Sequence, residues 1–539
     1  MLGAKTGRGE RPRPRRYAYS VPLFVVLSAL AGCGEDTTGP GDPDNVSPTV
    51  APIADRTVVR NAVSPRSIDV ELAIQDPDDA SFAVTVISGD DAIIPGTTFT
   101  CAPVACSFRL DPVADASAEV TITVTVSDGR GGEAQTGFVV RIAPRLVTTN
   151  ADDGAGSLRG AIAGAEAGDV IGFDTDGAFG TPQTIVLAGQ LVLERDVTIE
   201  GPGAPGLTVS GDSAVRVFKV VEGADVTLRN LTIADGLAPL EAIDFGVSTL
   251  SGRLGGGAFV GTGGKLTLIE AIVTRNRVAG LSDVTAGGGL ANLGGTLVLV
   301  DSEVIGNWAS DGGGGIFTSV DSTTTTVDGG AIVDNGTPGS GGGVAAAAGA
   351  VVRLRATTIA RNVALSGGGV MVGTTGTVAL ENNTSVTGNE ATGGGGGIGI
   401  FRGIAAVTGS TIAGNTAAEG GGIYNDRGDL SIQGSSRIED NRAENGGGIY
   451  VQEPVPSADI SIFAPSVVVA NMANTDGGGV YVAGGTLTVV GTACVILDNV
   501  ADFDGDGTGT GGGIYSAGGN ISGVDAAQVC SNGPDDIAP

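Results

Sequence analysis

Histidine is absent from this chain of 539 residues. Without it the sequence lacks the commonest general base and the commonest transition-metal ligand, which excludes Ser-His-Asp, Cys-His and histidine–zinc sites. Basic residues are also scarce, since 29 Lys and Arg accompany 59 Asp and Glu and leave a net charge of −30. A chain this acidic repels phosphate backbones, so we expect no nucleic-acid partner.

Several periodicities are missing as well, although the chain contains 94 glycines. Glycine does not recur at every third position, which excludes a collagen helix. Neither the hexapeptide period of a left-handed β-helix nor a long helical pattern is present. Regularly spaced Val, Ile and Leu residues argue against a disordered linker. A solenoid with a tight turn in each repeat accounts for both the glycines and the apolar residues.

The repeat is visible in the second half of the chain. Ten Gly-Gly-Gly triplets recur at intervals of 25 to 34 residues and begin at Gly255, Gly287, Gly313, Gly341, Gly367, Gly395, Gly420, Gly446, Gly477 and Gly511. Before most triplets stands an Ile or Val followed three residues later by Asn. Stacking predicts a buried apolar column, with glycines that supply positive φ angles and close approach between coils. It also predicts a ladder of amides from Asn307, Asn335, Asn362, Asn389, Asn415, Asn441 and Asn471.

The units resemble the repeats of polymorphic outer-membrane proteins, which are built on Gly-Gly-Ala-Ile and Phe-x-x-Asn. The matching residues here are Gly421-Gly422-Ile423 and Ile412-x-x-Asn415. The resemblance implies a right-handed parallel β-helix displayed at a bacterial surface, often with an adhesive role. We assign residues 184–539 to such a β-helix, with roughly 13 coils.

Residues 145–183 are expected to cap the N-terminal end of the solenoid. Ser157 is a suitable N-cap, and Leu158, Ala161 and Ile162 lie on one face of the short helix that would follow. The segment resembles the "CSLREA" element that precedes many bacterial β-helices, although Gly156 replaces its Cys and Gly160 its Glu.

Residues 47–144 lack the glycine repeat and alternate apolar with polar residues, as in Val120–Val126. This pattern predicts half-buried strands and a small β-sandwich, which serves as a spacer. Asp76-Pro77-Asp78-Asp79 and the turn at Asp128-Gly129 resemble bacterial cadherin-like and immunoglobulin-like modules. Some relatives bind calcium through such aspartates, whereas surface turns are the simpler interpretation.

The N-terminus resembles a bacterial lipoprotein signal. A basic segment ends at Arg16, an apolar stretch follows, and Leu30-Ala31-Gly32-Cys33 matches the lipobox. The resemblance implies that residues 1–32 are a signal peptide and that Cys33 is lipidated, which anchors the chain to a membrane. In that family the residue after the cysteine helps to sort proteins between membranes, and Gly34 favours the outer membrane, so the expected location is the outer membrane or cell surface. Residues 33–46 form a flexible tether. Because no membrane barrel follows the repeats up to Pro539, we expect the lipid to replace that anchor.

Four further cysteines remain after Cys33 is assigned. Exported proteins form disulfides, so Cys101–Cys106 and Cys494–Cys530 are the predicted pairs. The second pair is less secure because its members stand at different distances from the asparagines of their repeats. Four unpaired small core residues are the alternative.

Two further features are candidate binding sites. Asp502, Asp504 and Asp506 form a D-x-D-x-D-G string typical of calcium loops, but Gly513 replaces the bidentate Glu, so a plain acidic loop is an equal alternative. Calcium is therefore the one cofactor that the sequence suggests, and the expected function requires no cofactor. An aromatic ladder that either covers glycine backbone or binds a glycan or cell-surface protein is expected from Tyr424, Tyr450, Tyr481 and Tyr515.

Two functions from different classes fit this sequence. The first is a lipid-anchored, non-catalytic cell-surface protein with an adhesive or envelope-structural role. The alternative is a polysaccharide lyase or glycoside hydrolase, since many β-helix proteins have these activities. A lyase of the pectate-lyase type needs clustered carboxylates and an Arg base from adjacent coils, and no such cluster stands at matching register. Fold alone does not assign an activity.

The lipobox predicts acylation at Cys33. Metabolic labelling with a fatty-acid probe should mark the wild-type chain and should not mark the Cys33→Ala variant, because only the thiol accepts the lipid. Equal labelling of the two proteins would show that the lipobox interpretation is wrong.

Overall fold

The computed structural model describes residues 45–61, 66–101, 106–203, 206–244, 249–280, 284–452, 459–524 and 527–539. The predicted signal peptide, Cys33 and most of the tether lie outside these residues. Strands dominate, and the one α-helix in the described part is Leu158–Gly164. No helix among the described residues is both long and apolar enough to cross a membrane.

The N-terminal domain is a small two-layered β-structure. Its five-stranded sheet has the order Arg56–Val59, Glu133–Ala143, Ala118–Ser127, Phe82–Ser88, Thr97–Cys101. The remaining antiparallel pairs are Ile68–Leu72 with Cys106–Leu110 and Thr49–Val50 with Ile74–Gln75. Inward residues alternate with exposed ones along the strands, as the period of two predicts, and they form a core separate from that of the solenoid.

The rest of the chain is a parallel β-helix with three long walls. Wall 1 has 14 strands: Arg145–Val147, Asp169–Phe173, Val197–Glu200, Asp225–Arg229, Lys265–Ile269, Thr296–Val300, Thr324–Asp328, Val351–Arg355, Thr377–Glu381, Ile404–Thr408, Asp429–Gln433, Asp459–Phe463, Thr486–Val490 and Asn520–Ser522. Wall 2 has 13: Gln183–Val186, Leu207–Ser210, Thr232–Ala234, Ile272–Thr274, Glu303–Ile305, Ala331–Val333, Thr358–Ala360, Ser385–Thr387, Thr411–Ala413, Arg437–Glu439, Val467–Val469, Ile496–Leu497 and Val529–Cys530.

Wall 3 carries the residues that follow the glycine triplets. Its 13 strands are Leu191–Leu193, Phe218–Val220, Ala258–Val260, Leu290–Leu293, Ile316–Ser319, Val344–Ala346, Val370–Val372, Ile398–Phe401, Ile423–Asp426, Ile449–Val451, Val480–Val482, Ile514–Ser516 and Ile537–Ala538. Short parallel pairs add to the turn after the asparagines: Arg277–Val278 with Trp308–Ala309, Val363–Ala364 with Glu390–Ala391, and Arg442–Ala443 with Met472–Ala473. The predicted all-β fold class is confirmed.

One continuous apolar core runs along the inside of the three walls. Each coil contributes alternate strand residues, and the Ile or Val three residues before Asn forms one fully buried column. Ile412, for example, is paired in register with Val386 before it and Ile438 after it. A second buried column stands two residues after most of the asparagines and consists mainly of alanines: Ala309, Ala364, Ala391, Ala443, Ala473 and Ala501.

The segment assigned to the cap contains part of the first coil. Strands Arg145–Val147 and Asp169–Phe173 already belong to wall 1, and the helix is inserted between them. Ser157 is the N-cap, and its hydroxyl oxygen accepts a hydrogen bond from the backbone N–H of Gly160. Leu158 is fully buried against the first coil. Asp169–Phe173 shows no alternation of buried and exposed residues, because all five of its residues are buried.

A buried charge cluster joins the N-terminal domain to the solenoid. The fully buried Asp169 carboxylate lies 2.5 Å from Nη2 of Arg66 and 3.2 Å from Nη2 of Arg145. Burial alone lowers the pKa of Arg66, but the hydrogen bond and charge of Asp169 raise it above its usual value. Arg60 forms a second ion pair with Glu200, at 2.9 Å. The expected spacer domain is therefore fixed against the first coils through paired buried charges.

Each of the three positions of a triplet requires glycine for its own structural reason. The first glycine, for example Gly420 with a φ of +62°, is left-handed in all ten triplets. Gly421 is not left-handed, but a Cβ there would lie 2.4 Å from the carbonyl oxygen of Arg442 and 2.6 Å from that of Gly447. A Cβ on Gly422 would lie 2.9 Å from Nδ2 of Asn441. The second and third glycines thus allow neighbouring coils to approach each other.

We predict that Gly421→Ala destabilises the protein several-fold more than Gly414→Ala does. Gly414 has a φ of +60° and open space around it, and Ala470 occupies the equivalent position of a later coil with a φ of +56°. The control variant should therefore cost no more than about 1–2 kcal/mol, whereas Gly421→Ala forces backbone apart. Thermal unfolding of the two variants tests this, and equal losses would contradict the steric argument.

Candidate functional site

The asparagines form a continuous ladder of ten residues. In each of nine steps, Nδ2 of one asparagine donates to Oδ1 of the asparagine in the next coil, at 2.9 to 3.0 Å. The same oxygen accepts the backbone N–H of the preceding asparagine. The seven predicted residues all lie in this ladder, and Asn276, Asn499 and Asn532 extend it.

The ladder satisfies its own polar groups. Asn415 donates one Nδ2 hydrogen to Asn441 and the other to the carbonyl oxygen of Val386, both at 2.9 Å. Its Oδ1 accepts from the side chain and from the backbone of Asn389. All four hydrogen-bonding positions of this fully buried amide are therefore occupied. Such an amide has no group left to contact a ligand, so the column is structural.

A second ladder, built from hydroxyl groups, escaped sequence analysis. Ser436 donates to the carbonyl oxygen of Val407 at 3.1 Å, and its oxygen accepts the backbone N–H of Ser410 at 3.3 Å. Ser466 continues the column by accepting the backbone N–H of Ser436 at 3.1 Å. The signal was present as a Ser or Thr two residues before the buried Ile or Val: Ser302, Thr357, Thr384, Ser410, Ser436 and Ser466.

The four tyrosines are brought together on wall 3. They are paired in register from Tyr424 to Tyr515. Ring centroids are 5.6, 4.7 and 5.0 Å apart, with interplanar angles of 9°, 16° and 40°. The ring faces are thus turned towards one another, and Tyr450 is buried. Because sugars stack on the open face of an aromatic ring, little of the stripe offers that kind of contact.

The N-terminal end of the tyrosine column packs on glycine backbone. A Cβ on Gly394 would lie 2.6 Å from Cγ of Tyr424, so this ring covers that glycine. Burial, together with the charges of Glu419 and Asp426, raises the pKa of Tyr424 to about 12. Burial also raises the pKa of Glu419. Both pKa values rise because the Tyr424 hydroxyl and the Glu419 carboxyl lose solvation in a half-buried site beside the rings.

The acidic string lies in an exposed loop between the ladder and the last glycine triplet. The carboxylates of Asp502, Asp504 and Asp506 can each place one oxygen within 4.8 Å of the others. The loop's own backbone uses part of this capacity, since Asp502 Oδ1 accepts from Gly507 N at 3.0 Å and Asp506 Oδ1 from Thr508 N at 2.9 Å. The geometry suits either of the two interpretations left open by the sequence, a weak calcium site or a self-bonded acidic loop.

Another acidic triplet lies in the N-terminal domain. Asp76, Asp78 and Asp79 also have carboxylate oxygens within 4.8 Å of one another. Burial and a hydrogen bond with Asp76 raise the pKa of Asp78, and Arg130 contacts both Asp78 and Asp79 at 3.3 to 3.4 Å. Asp128 instead holds its own turn through backbone hydrogen bonds from Arg130 and Gly132.

The structure brings together the cysteines of both predicted pairs. Cys101 and Cys106 join the ends of two strands, with Cα atoms 5.2 Å apart. Cys494 and Cys530 link the last two coils, with Cα atoms 6.3 Å apart. The register partner of Cys530 is Leu497, not Cys494. The two cysteines therefore belong to different columns of the stack, as expected from their different distances to the asparagines of their repeats.

A further cluster of unlike charged residues lies where an insertion interrupts the repeat. The hairpin Glu241–Asp244 and Thr249–Leu254 places Glu241 against the fully buried Arg216 and the half-buried Lys219. Arg216 and Lys219 also lie 5.2 and 5.7 Å from the centre of the Phe259 ring. No sequence pattern predicts this cluster, because the hairpin lies outside the repeat and its residues have no equivalent positions in other coils.

The paired charges set the electrostatics of this cluster. Burial lowers the pKa of Arg216. Burial by itself raises the pKa of Glu241, but Arg216 and Lys219 outweigh it and bring the pKa below its usual value. Arg216 also donates to the carbonyl oxygens of Leu254 and Gly255, at 2.9 and 3.0 Å. Glu241 therefore stays ionised and ties the hairpin to the solenoid, which is the opposite of a general acid.

With this geometry the chain is defined as a parallel β-helix protein with an N-terminal immunoglobulin-like domain. A family model for the bacterial Ig domain matches residues 45–141. Among curated proteins no match was found.

Solved structures show weak similarity. The catalytic domain of Agl-KA is 11% identical over 89% of this chain and 87% of that one, with a TM-score of 0.31. The GH87 α-1,3-glucanase of Streptomyces thermodiastaticus strain HF3-3 is 11% identical over 87% of each chain, with a TM-score of 0.29. The family 28 exopolygalacturonase of Yersinia enterocolitica is 10% identical over 92% of this chain and 98% of that one, with a TM-score of 0.20. Similarities this low do not assign an activity.

Replacing Asn415 with Ala should remove one ladder step and leave buried partners without hydrogen bonds. We expect a loss of about 1–3 kcal/mol in the free energy of unfolding. Asn474→Ala is the matched control, because that side chain contacts Arg442 and Glu444 at the surface. Equal stability of Asn415→Ala and Asn474→Ala in thermal or urea unfolding would rule out the structural role of the ladder.

Proposed function

We propose that this chain is a lipid-anchored bacterial cell-surface protein whose β-helix has a non-catalytic, adhesive or envelope-structural role. The observation that carries this proposal is the uninterrupted asparagine ladder, which continues through ten coils. Side chains that recur in every coil are committed to holding the coils together, whereas a catalytic site needs unlike groups that converge once.

The hairpin cluster within the solenoid is one place where unlike groups converge. Its carboxylate, Glu241, is engaged by two cations and has a lowered pKa. A glycoside hydrolase needs a second carboxyl group at a defined separation, with one of the pair kept protonated. Glu241 does not meet that requirement, which supports a structural ion pair.

The acidic triplets give the enzyme alternative little support. In the described part of the chain, each triplet comes from a single loop rather than from adjacent coils of one wall. A calcium-dependent lyase would need its carboxylates presented across neighbouring coils, beside an arginine. We retain a polysaccharide lyase or glycoside hydrolase as the alternative function, and calcium at Asp502, Asp504 and Asp506 as a structural ion in either case.

Location at the outer membrane follows from the lipobox at Cys33 and forms part of the proposal. The domain order suits it, because the anchor precedes the spacer and the spacer precedes the long solenoid. A rod fixed at its base by the ion pairs of Asp169 would present its walls away from the membrane. The proposed ligand is a glycan or a cell-surface protein, and the ring edges and hydroxyls of the tyrosine stripe, rather than its ring faces, are the candidate contacts.

Two measurements on the same protein separate the functions. Bacteria that display the wild-type chain should adhere to glycan- or cell-coated surfaces better than bacteria producing Cys33→Ala, because the variant is not retained. Purified protein should release no products from a panel of acidic polysaccharides and α-glucans, with or without calcium. The enzyme alternative would replace our proposal if products appeared and Glu241→Gln, with unchanged circular dichroism, abolished them.

A further inference from the structure

The asparagine ladder has a direction. In every step the Nδ2–H group points to the following coil and the side-chain carbonyl accepts from the preceding one. Aligned amide dipoles add up, as they do in an α-helix, and leave a positive end where the last donors lack partners. Here the donor end is Asn532, in the last coil.

The two donors of Asn532 do find an acceptor. Its backbone N–H and its Nδ2–H both donate to Oδ1 of Asp536, at 2.9 and 3.0 Å. These distances match the nine steps of the ladder, in which an asparagine oxygen accepts the same two groups. We propose that Asp536 is an end cap of the ladder, whose carboxylate replaces the next asparagine and neutralises the donor end of the column.

The choice of a carboxylate has a physical reason. An ionised carboxylate only accepts hydrogen bonds, whereas an asparagine at this position would carry two further donors beyond the last step. Its negative charge also interacts favourably with the positive end of the aligned dipoles, as an acidic N-cap does in a helix. Asp536 thus ends the column without passing on unsatisfied donors.

The other end of the ladder is closed differently. The backbone N–H of Gly236 donates to Oδ1 of Asn276 at 2.8 Å. An acceptor end needs only a donor, which ordinary backbone supplies, whereas a donor end with two N–H groups needs one acceptor placed between them. The asymmetry explains why a special side chain stands at the C-terminal end alone.

Asp535 offers a matched control. It is an exposed neighbour whose backbone carbonyl accepts from Gly513 at 3.1 Å. Among the described hydrogen bonds and ion pairs, none involves its side chain. Replacing Asp535 therefore removes the same charge from the same segment without touching the ladder.

Amide hydrogen exchange of the full chain tests the cap. Asp536→Ala should accelerate exchange of the Asn532 backbone amide by about tenfold or more, and Asp535→Ala should leave it unchanged. Asp536→Asn keeps the acceptor oxygen and loses the charge, so it should fall between wild type and Asp536→Ala. Its difference from wild type should shrink in 1 M salt, where exposed charges are screened.

Protection of the Asn362 amide in mid-ladder verifies that each variant is folded. Equal exchange of Asn532 in the two Asp→Ala variants would overturn the proposal. So would an Asp536→Asn protein that exchanges as fast as Asp536→Ala, because the retained oxygen would then make no contribution.

Discussion

The architecture depends on one constraint, the spacing at which one coil stacks on the next. A parallel sheet sets this distance through its backbone hydrogen bonds. The buried turn between walls 2 and 3 must keep the same spacing without a regular sheet, and the asparagine ladder achieves this with two hydrogen bonds to each Oδ1. The glycine triplets follow from it, because a Cβ on Gly421 or Gly422 would hold adjacent coils apart. The small column exemplified by Ala443 completes the same turn.

Stacked repeats must be terminated, since each end presents strand edges and unpaired polar groups. At the N-terminal end, the helix Leu158–Gly164 and the immunoglobulin-like domain cover the first coils, with Asp169 buried between two arginines. At the other end, Asp536 accepts the final ladder donors. The first carboxylate is fully buried and the second is exposed, and each accepts from donors that the fold holds in place.

The same regularity bears on function. Several charged and aromatic residues of the solenoid have partners in the neighbouring coil: tyrosines stack on tyrosines, and Arg355 pairs with Glu381 at 2.9 Å. A surface built in this way is repetitive, which fits the non-catalytic role proposed above. The hairpin at Glu241 departs from the pattern, and its charges are also paired internally.

Sequence periodicity by itself determined the repeat, the parallel β-helix, the buried Ile column and the asparagine ladder, because stacking turns a one-dimensional period directly into a column. Asn276, Asn499 and Asn532 carried the same signal, with Val or Ile three residues before each. Composition excluded whole classes of chemistry through the absence of histidine. Tertiary structure alone decided contacts between residues that share no register. The ion pairs of Asp169 and Glu241 are of this kind, since no spacing in the sequence says which distant side chain a charge will meet when it loses water.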